Sequence, residues 1–167
     1  MVHIRTAVTD DATMIAHVHA AAHLQTNAPL FGTKARALNV ADLERRWRQA
    51  LSDGDPAFVA TDGSSIVGLA HAHGDTIDAL YLLAKYRRKG IGARLLSRLL
   101  QALWERRVLQ ARFNVLAINH DAIAFYEAMG AHLVGRCTMN DPEGNYEDLV
   151  YTLPTAQAAW ARSLASD

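Results

Sequence analysis

The sequence has 167 residues, and its 17 basic and 17 acidic side chains give a formal net charge of zero. That length suits one domain with its own core, and the balanced charge argues against a nucleic-acid-binding or anionic-membrane-binding protein. The single cysteine, Cys137, excludes an internal disulfide and a zinc site with two thiolates, so we expect a reducing, cytoplasmic location. No membrane span or secretory leader is apparent, and we expect a soluble, unprocessed protein.

The first part of the chain predicts a strand followed by two helices. Residues 3–8 alternate in polarity and predict a strand, and apolar residues at helical spacing predict a helix over about 10–24. Proline and glycine within 25–38 predict a long loop, which we expect to face a substrate. A second helix is predicted over about 40–50.

The middle of the chain predicts three strands and the clearest helix. Residues 57–63 and 64–74 form a predicted hairpin, and 76–83 form the next strand. From Gly90 onward, apolar residues recur on one helical face. These residues are Ile91, Leu95, Leu96, Leu99, Leu100 and Leu103.

The last part predicts a strand over 111–117, a helix over 119–129 and two strands over 131–137 and 146–153. The whole order, β, α, α, β, β, β, α, β, α, β, β, indicates a mixed α/β fold. No linker or repeat divides the chain, so we expect one domain over 1–167. Its core would span about 3–153, and the tail from 154 would be either a short helix with Trp160 and Leu164 on one face or a solvated segment.

A basic, glycine-containing loop connects the strand that ends at Leu83 to the clearest helix. Three basic residues, 87–89, directly precede Gly90, and Gly92 follows within the first turn. Backbone N–H groups at a helix start lack internal partners and carry the positive end of the macrodipole, so they can bind a pyrophosphate. The Rossmann and Walker spacings are not matched.

This loop and the segment 119–130 resemble the two signature motifs of the GNAT acetyltransferases. The family's phosphate motif is Gln or Arg, two residues, Gly, one residue, then Gly or Ala, and it matches Arg87, Gly90 and Gly92. The second motif matches Asn119, Ala122, Phe125, Tyr126 and Gly130. The resemblance covers about residues 3–153 and departs at Ala84, where many members have a proline.

The resemblance implies an α/β GNAT fold, with a mostly antiparallel seven-stranded sheet, splayed parallel fourth and fifth strands and about four helices. It also implies acetyl-CoA as cosubstrate. The backbone of Leu82 and Leu83 would bind the pantetheine arm and donate an N–H to the thioester carbonyl, and Asn119 and Tyr126 would approach the far side of the cofactor. The phosphates would contact Arg87, Arg88, Lys89, Gly90, Ile91, Gly92 and Ala93.

The implied reaction is direct attack of a primary amine, from a small molecule or a peptide, on the thioester. Tyr126 is the candidate acid for the departing thiolate, because a phenol is protonated at neutral pH; its alternative role is a core tyrosine. A base must also deprotonate the ammonium form of the amine.

The base is open between one acidic residue, two histidines and a water-mediated path. Asp78 is the first choice because the family often places an acid near this position. Strict alternation puts Asp78 on one face with Leu80 and Leu82, and it puts His71 with His73 on the preceding strand.

Other interpretations of the sequence remain possible. The chain could bind acetyl-CoA as a sensor or assembly module without turnover, or use a longer acyl-CoA. His19 and His23 are one helical turn apart, a spacing that a metal accepts, but no comparable third ligand accompanies this pair, so we expect no metal. Trp47 and Trp104 are expected in the core or at an interface. A homodimer is possible because dimers are common in the resembled family.

Overall fold

The computed structural model describes residues 1–141 and 144–156. Seven strands within these ranges form one sheet: β1 Val2–Thr6, β2 Ala57–Asp62, β3 Ser65–His73, β4 Thr76–Leu82, β5 Gln110–Leu116, β6 His132–Asp141 and β7 Gly144–Pro154. The α-helices of the described residues are α1 Ala12–Phe31, α2 Val40–Ser52, α3 Ile91–Glu105 and α4 His120–Ala128. This order of elements is the predicted one. The predicted tail helix lies outside the described residues.

The strand order across the sheet is β1-β2-β3-β4-β5-β7-β6. Neighbouring strands are antiparallel except β4 and β5, which are parallel and pair only at Thr76 and Arg112 in the described structure. There the Arg112 N–H donates to Asp75 O at 2.8 Å. The mixed sheet with a splayed parallel β4–β5 pair confirms the predicted fold class.

Each face of the sheet carries its own apolar core. On one face the buried side of α3 packs on the strands, and Leu95, Leu96 and Leu99 have no exposed surface. On the other face α1 and α2 contribute Ile15 and Trp47 to a second cluster. The predicted apolar face of α3 is confirmed, and its burial fixes the start of the helix beside the end of β4. None of the helices in the described ranges is both long and apolar enough to cross a bilayer.

A β-bulge changes the face on which Asp78 lies. The register between β3 and β4 shifts between His71 and Ala72, which makes Asp78 an extra residue in β4. Leu80 and Leu82 pack toward the α3 core, whereas the Asp78 carboxylate contacts Nδ1 of His71. The prediction that Asp78 shares a face with Leu80 and Leu82 is therefore wrong, because the bulge shifts the two-residue period by one position.

Helix α1 is longer than predicted. It continues past Leu24 and through Pro29 to Phe31, and Gly32, whose φ is 58°, is its C-cap. The predicted loop over 25–38 is therefore helical in its first part, which is a correction to the sequence-based assignment. Tertiary contact accounts for part of the difference, since the Gln25 side chain accepts a hydrogen bond at 2.8 Å from the backbone of the loop after β4.

Candidate active site

A cavity of about 880 Å³ lies where β4 and β5 diverge. Most of the residues predicted for the site contribute to its wall: Asp78, Leu82, Arg87, Arg88, Gly90, Gly92, Ala93, Asn119 and Tyr126. Other predicted residues lie outside its lining: His71, His73, Leu83, Lys89 and Ile91. Ile91 is buried in the α3 core, and Lys89 is exposed. We call this cavity the cleft.

The backbone of β4 offers hydrogen-bonding groups to the cleft in an alternating pattern. The Leu83 N–H donates to Val67 O at 3.0 Å, so it points toward β3. By antiparallel alternation, the N–H groups of Leu80 and Leu82 then point toward the diverging β5. Of the two residues expected to offer an N–H to the thioester carbonyl, Leu82 directs its N–H toward β5 and Leu83 directs its N–H toward β3.

The loop before α3 presents backbone N–H groups in a geometry that suits an anion, and we call residues 88–93 the anion cradle. Gly90 is the N-cap of α3 with φ 75°, and no side chain caps the helix. The Arg94 N–H donates to Gly90 O at 3.1 Å, which leaves the N–H groups of residues 91–93 at the open helix start. Arg88 also has a positive φ, of 61°. A left-handed conformation costs a residue with a side chain about 1–2 kcal/mol, so the loop stores strain beside the cleft.

The Arg87 side chain holds this loop against its neighbours. Its Nε donates to Leu82 O at 3.0 Å, and its Nη2 donates to Thr26 Oγ1 at 3.0 Å. These contacts join the loop to β4 and to the late turns of α1. These hydrogen bonds fix the orientation of the Arg87 guanidinium group, and its positive charge remains in the cleft wall.

Helix α4 brings Tyr126 to the cleft from the α3 side of the sheet. Asn119 caps this helix, because its Oδ1 accepts from the Ala122 N–H at 3.2 Å. The Tyr126 ring lies 4.3 Å from the Phe113 ring and 5.1 Å from the Phe125 ring between centroids. Burial raises the pKa of Tyr126 far above its usual value, and the nearby Tyr81 adds to the increase. The phenol is therefore protonated at neutral pH.

Asp78 approaches the cleft from the α1–α2 side, and two of the three candidate bases lie behind it. The Asp78 side chain is 48% exposed, whereas His71 is buried and His73 is exposed outside the cleft. Hydrogen bonding to Asp55 raises the pKa of His73. Asp55 was not predicted as a site residue, because an Asp-Pro pair before a strand has the appearance of a turn.

The same side of the cleft contains polar and aromatic residues that were not predicted. Asp148 on β7 is buried, and burial raises its pKa, while Asn114 Nδ2 lies 3.4 Å from its Oδ2. Phe31 and Tyr146 meet at 6.1 Å between ring centroids, and Tyr81 also lines this side. Alternation along β7 was a usable signal for Asp148, but nothing local indicated that β7 borders the cleft.

His19 on α1 packs against aromatic residues on this side. Trp47 is buried, as predicted for a core residue, and its Nε1 donates to His19 Nδ1 at 3.1 Å. Burial lowers the pKa of His19 to about 4. Trp104 is 47% exposed. Within residues 1–141 and 144–156, no group of three or more His, Cys, Asp or Glu side chains is placed to hold a metal ion.

The match to a known protein family indicates which activity this cleft serves. The model of the acetyltransferase (GNAT) family matches residues 23–131, a span that includes β4, the anion cradle and α4. The chain belongs to the GNAT acetyltransferase family. It is accordingly an N-acetyltransferase with acetyl-CoA as cosubstrate, and the uncapped helix start beside a strand with free N–H groups fits a pyrophosphate and its pantetheine arm.

Several solved structures share this GNAT fold. The ribosomal-protein-S18-alanine N-acetyltransferase of Escherichia coli is 22% identical with a TM-score of 0.73, over 93% of this chain and 94% of that one. A GCN5-related N-acetyltransferase from Rhodopseudomonas palustris is 23% identical with a TM-score of 0.76, over 91% and 94% of the two chains. An acetyltransferase structure from Salmonella typhimurium with its cofactor acetyl-CoA is 16% identical with a TM-score of 0.71, over 92% and 94%. A search of curated proteins found no match.

Replacing Gly90 with alanine is expected to weaken acetyl-CoA binding about 5- to 30-fold, because a side chain at positive φ costs about 1–2 kcal/mol. Without ligand the loop can relax, so the cost falls on the bound state. Gly63→Ala is the matched control, since Gly63 has φ 59° in the β2–β3 turn and open space around it, as Gly90 has. Isothermal titration measures both. Equal affinities for the two variants would show that the Gly90 conformation does not matter for binding.

Proposed function

We propose that this GNAT enzyme acetylates a primary amine that attacks the thioester of acetyl-CoA directly, with Asp78 as base and Tyr126 as hydrogen-bond donor to the leaving thiolate. The observation that supports this best is the placement of three different groups on the wall of one cleft. These are the uncapped start of α3, the Tyr126 phenol and the Asp78 carboxylate.

Acetyl-CoA would lie between β4 and β5 in the manner of an added strand. Its pyrophosphate would accept hydrogen bonds from the N–H groups of residues 91–93, with Arg88 and Lys89 supplying positive charge. The Leu80 and Leu82 N–H groups would bind the arm and the thioester carbonyl. A donor at that carbonyl stabilises the negative charge that develops on its oxygen during attack.

The amine would enter from the α1–α2 side of the sheet. An alkyl amine such as a lysine side chain has a pKa of about 10.4, so it arrives as an ammonium ion and must lose a proton before it attacks. Asp78 and Asp148 place acidic groups on this side, which favours a cation. Asp78, the more exposed of the two, would accept the proton.

Tyr126 would act from the opposite side on the sulfur. A thiol such as that of cysteine has a pKa of about 8.5, below the value of about 10 for a free phenol. Since burial raises the pKa of Tyr126 further, complete proton transfer to the thiolate is uphill. We therefore assign Tyr126 a hydrogen bond to the thiolate as it departs, which lowers the barrier without ionising the phenol. The second proton, which the nitrogen loses as the amide forms, passes to the departing sulfur and leaves as the thiol of coenzyme A.

The acceptor would be a small-molecule amine or a peptide amine. The Escherichia coli and Brucella melitensis relatives are ribosomal-protein-alanine N-acetyltransferases, which supports including a peptide N-terminus. The contact between Phe31 and Tyr146 borders the acceptor side and favours a slender alkyl amine or an extended peptide end over a bulky amine.

The test combines titration with acetyl-CoA and thiol release in the presence of an amine panel. The panel contains a peptide that begins with alanine, a lysine peptide with a blocked N-terminus, a polyamine and an alkylamine. We expect acetyl-CoA to bind and at least one amine to be acetylated, as read by mass spectrometry. Binding without release for every amine would favour a sensor. Turnover of propionyl-CoA or succinyl-CoA alone would contradict the acetyl assignment.

A further inference from the structure

A line of polar side chains connects Asp78 to solvent on the α1–α2 side of the sheet. His71 is 5% exposed, and its two ring nitrogens face different carboxylates. Nδ1 contacts Asp78, and Nε2 lies 3.2 Å from Asp55 Oδ2. The same Asp55 oxygen lies 3.0 Å from His73 Nδ1, and the His73 side chain is 76% exposed. The line therefore begins in the cleft and ends in water.

The protonation of this line follows from the donors and acceptors available. A neutral imidazole has one N–H donor and one acceptor nitrogen. Because a carboxylate oxygen faces each nitrogen of His71, both contacts are satisfied only when the three groups share one additional proton. That proton can reside on the ring or on either carboxyl group, and it needs to move only the length of a hydrogen bond between them.

The groups around the line do not compete for this proton. His19 on α1 is the nearby histidine, and burial lowers its pKa to about 4, so it is neutral above that pH. Tyr81 on β4 is a phenol whose pKa is raised by burial and by Asp78. The Trp47 ring lies 5.1 Å from the His71 ring and covers it from α2.

We propose that Asp78, His71, Asp55 and His73 form a relay that carries the proton of the incoming ammonium group from the cleft to solvent. The relay rests on the proposed function, in which Asp78 is the base. His71, Asp55 and His73 then act through Asp78 as positioning residues that also return it to its unprotonated form.

Each step of the relay breaks one bond to hydrogen and forms another, and no electron is transferred. The ammonium N–H breaks as an O–H forms on Asp78. His71 begins with its proton on Nε2, accepts the Asp78 proton at Nδ1 and releases the Nε2 proton to Asp55. The ring is then protonated on Nδ1, and rotation about its Cβ–Cγ bond returns the N–H to the Asp55 side before the next turnover. Asp55 passes a proton to Nδ1 of His73, which loses one from Nε2 to water.

The kinetic test uses acetyl-CoA with two probes of matched shape, ethylamine and 2,2,2-trifluoroethylamine. Ethylamine is an ammonium ion at neutral pH, whereas the fluorinated amine is largely neutral and needs no prior deprotonation. His71→Gln and Asp55→Asn are expected to lower kcat for ethylamine at least about tenfold, with a clearly smaller loss for the fluorinated amine. KM for acetyl-CoA should stay the same.

His19→Gln is the control, because it makes the same exchange on a neighbouring histidine that packs against Trp47 and Tyr81. It should change the two amine rates equally or not at all. A second readout is proton NMR without acceptor. The His71 N–H shared with a carboxylate should resonate far downfield, and Asp78→Asn and Asp55→Asn should each shift it.

The outcomes separate the relay from the proposed function. If Asp78→Asn slows ethylamine and His71→Gln does not, the relay is wrong and the base assignment stands. Equal losses for both amines in His71→Gln, or no downfield N–H in the unchanged chain, also overturn the relay. If the unchanged chain acetylates neither amine at saturating acetyl-CoA, the proposed function fails and the relay with it.

Discussion

An Asp78→Asn variant is expected to acetylate a protonated amine about 10²- to 10⁴-fold more slowly than the unchanged chain, which is the range for loss of a positioned general base. The amide is close in size to the carboxylate and keeps a polar group in the cleft wall, but it cannot take the proton. Acetyl-CoA affinity should be nearly unchanged, because the anion cradle follows the end of β4, whereas Asp78 lies near the start of that strand. Initial rates of thiol release and isothermal titration measure the two quantities.

Asp75→Asn is the matched control for this variant. Asp75 lies in the turn directly before β4 and does not line the cleft. Its side chain accepts a hydrogen bond from the Thr76 hydroxyl at 3.1 Å, which an amide oxygen can also accept. The control should keep the rate of the unchanged chain. If Asp78→Asn lowers the rate of thiol release less than about tenfold, the effect falls short of the range expected for loss of a general base. The base would then be another group or water.

The parts of the fold that the sequence predicts are those in which local pattern and tertiary structure agree. The apolar face of α3 repeats with the helical period, and the structure buries that face completely. Gly90 marks a turn that needs positive φ, and its value of 75° supplies the physical reason for glycine there. The order of the eleven strands and α-helices within residues 1–141 and 144–156 could be read from such signals.

The errors arise where distant contacts override local pattern. Pro29 and the polar residues around it indicate a loop, but α1 continues because its late turns contact the loop after β4 and the Arg87 side chain. The bulge at Asp78 depends on the pairing of β4 with β3, whose register shifts between His71 and Ala72. A single strand read alone contains neither fact.

The candidate site also combines features that a local pattern predicts with features that depend on distant contacts. Residues of the two GNAT motifs could be assigned to one cleft because each motif is contiguous in the chain. The direction of the Leu83 N–H could not, since it depends on the partner Val67 across β3. Likewise, Asp55 reaches His71 from a loop 16 residues away, and no spacing rule connects them.

Tyr126→Phe is expected to lower kcat about 10²-fold while acetyl-CoA affinity changes little, because only the hydroxyl group is removed. Phenylalanine retains the ring contacts with Phe113 and Phe125 that hold this side chain in place. The loss should appear equally for protonated and neutral amines, since the phenol acts on the leaving sulfur rather than on the nucleophile. Rates of thiol release with both kinds of amine measure this.

Tyr151→Phe provides the control within the same aromatic cluster. The Tyr151 ring stacks on Phe113 at 5.8 Å, but its hydroxyl donates to Glu127 at 2.8 Å and it does not line the cleft. This variant should lose stability rather than turnover. If Tyr126→Phe releases thiol as fast as the control, Tyr126 does not donate a hydrogen bond to the departing thiolate.

The pH dependence gives an independent check on Tyr126. Burial raises the pKa of this phenol above its ordinary value of about 10. Because its pKa is raised, the Tyr126 phenol keeps its proton as the pH increases. Loss of that proton therefore cannot make the rate fall below about pH 10. Deprotonation of the amine, in contrast, should increase the rate over the same range. An alkaline decline near pH 8 that disappears in Tyr126→Phe would mean that the phenol ionises early, and the hydrogen-bond role would then be wrong.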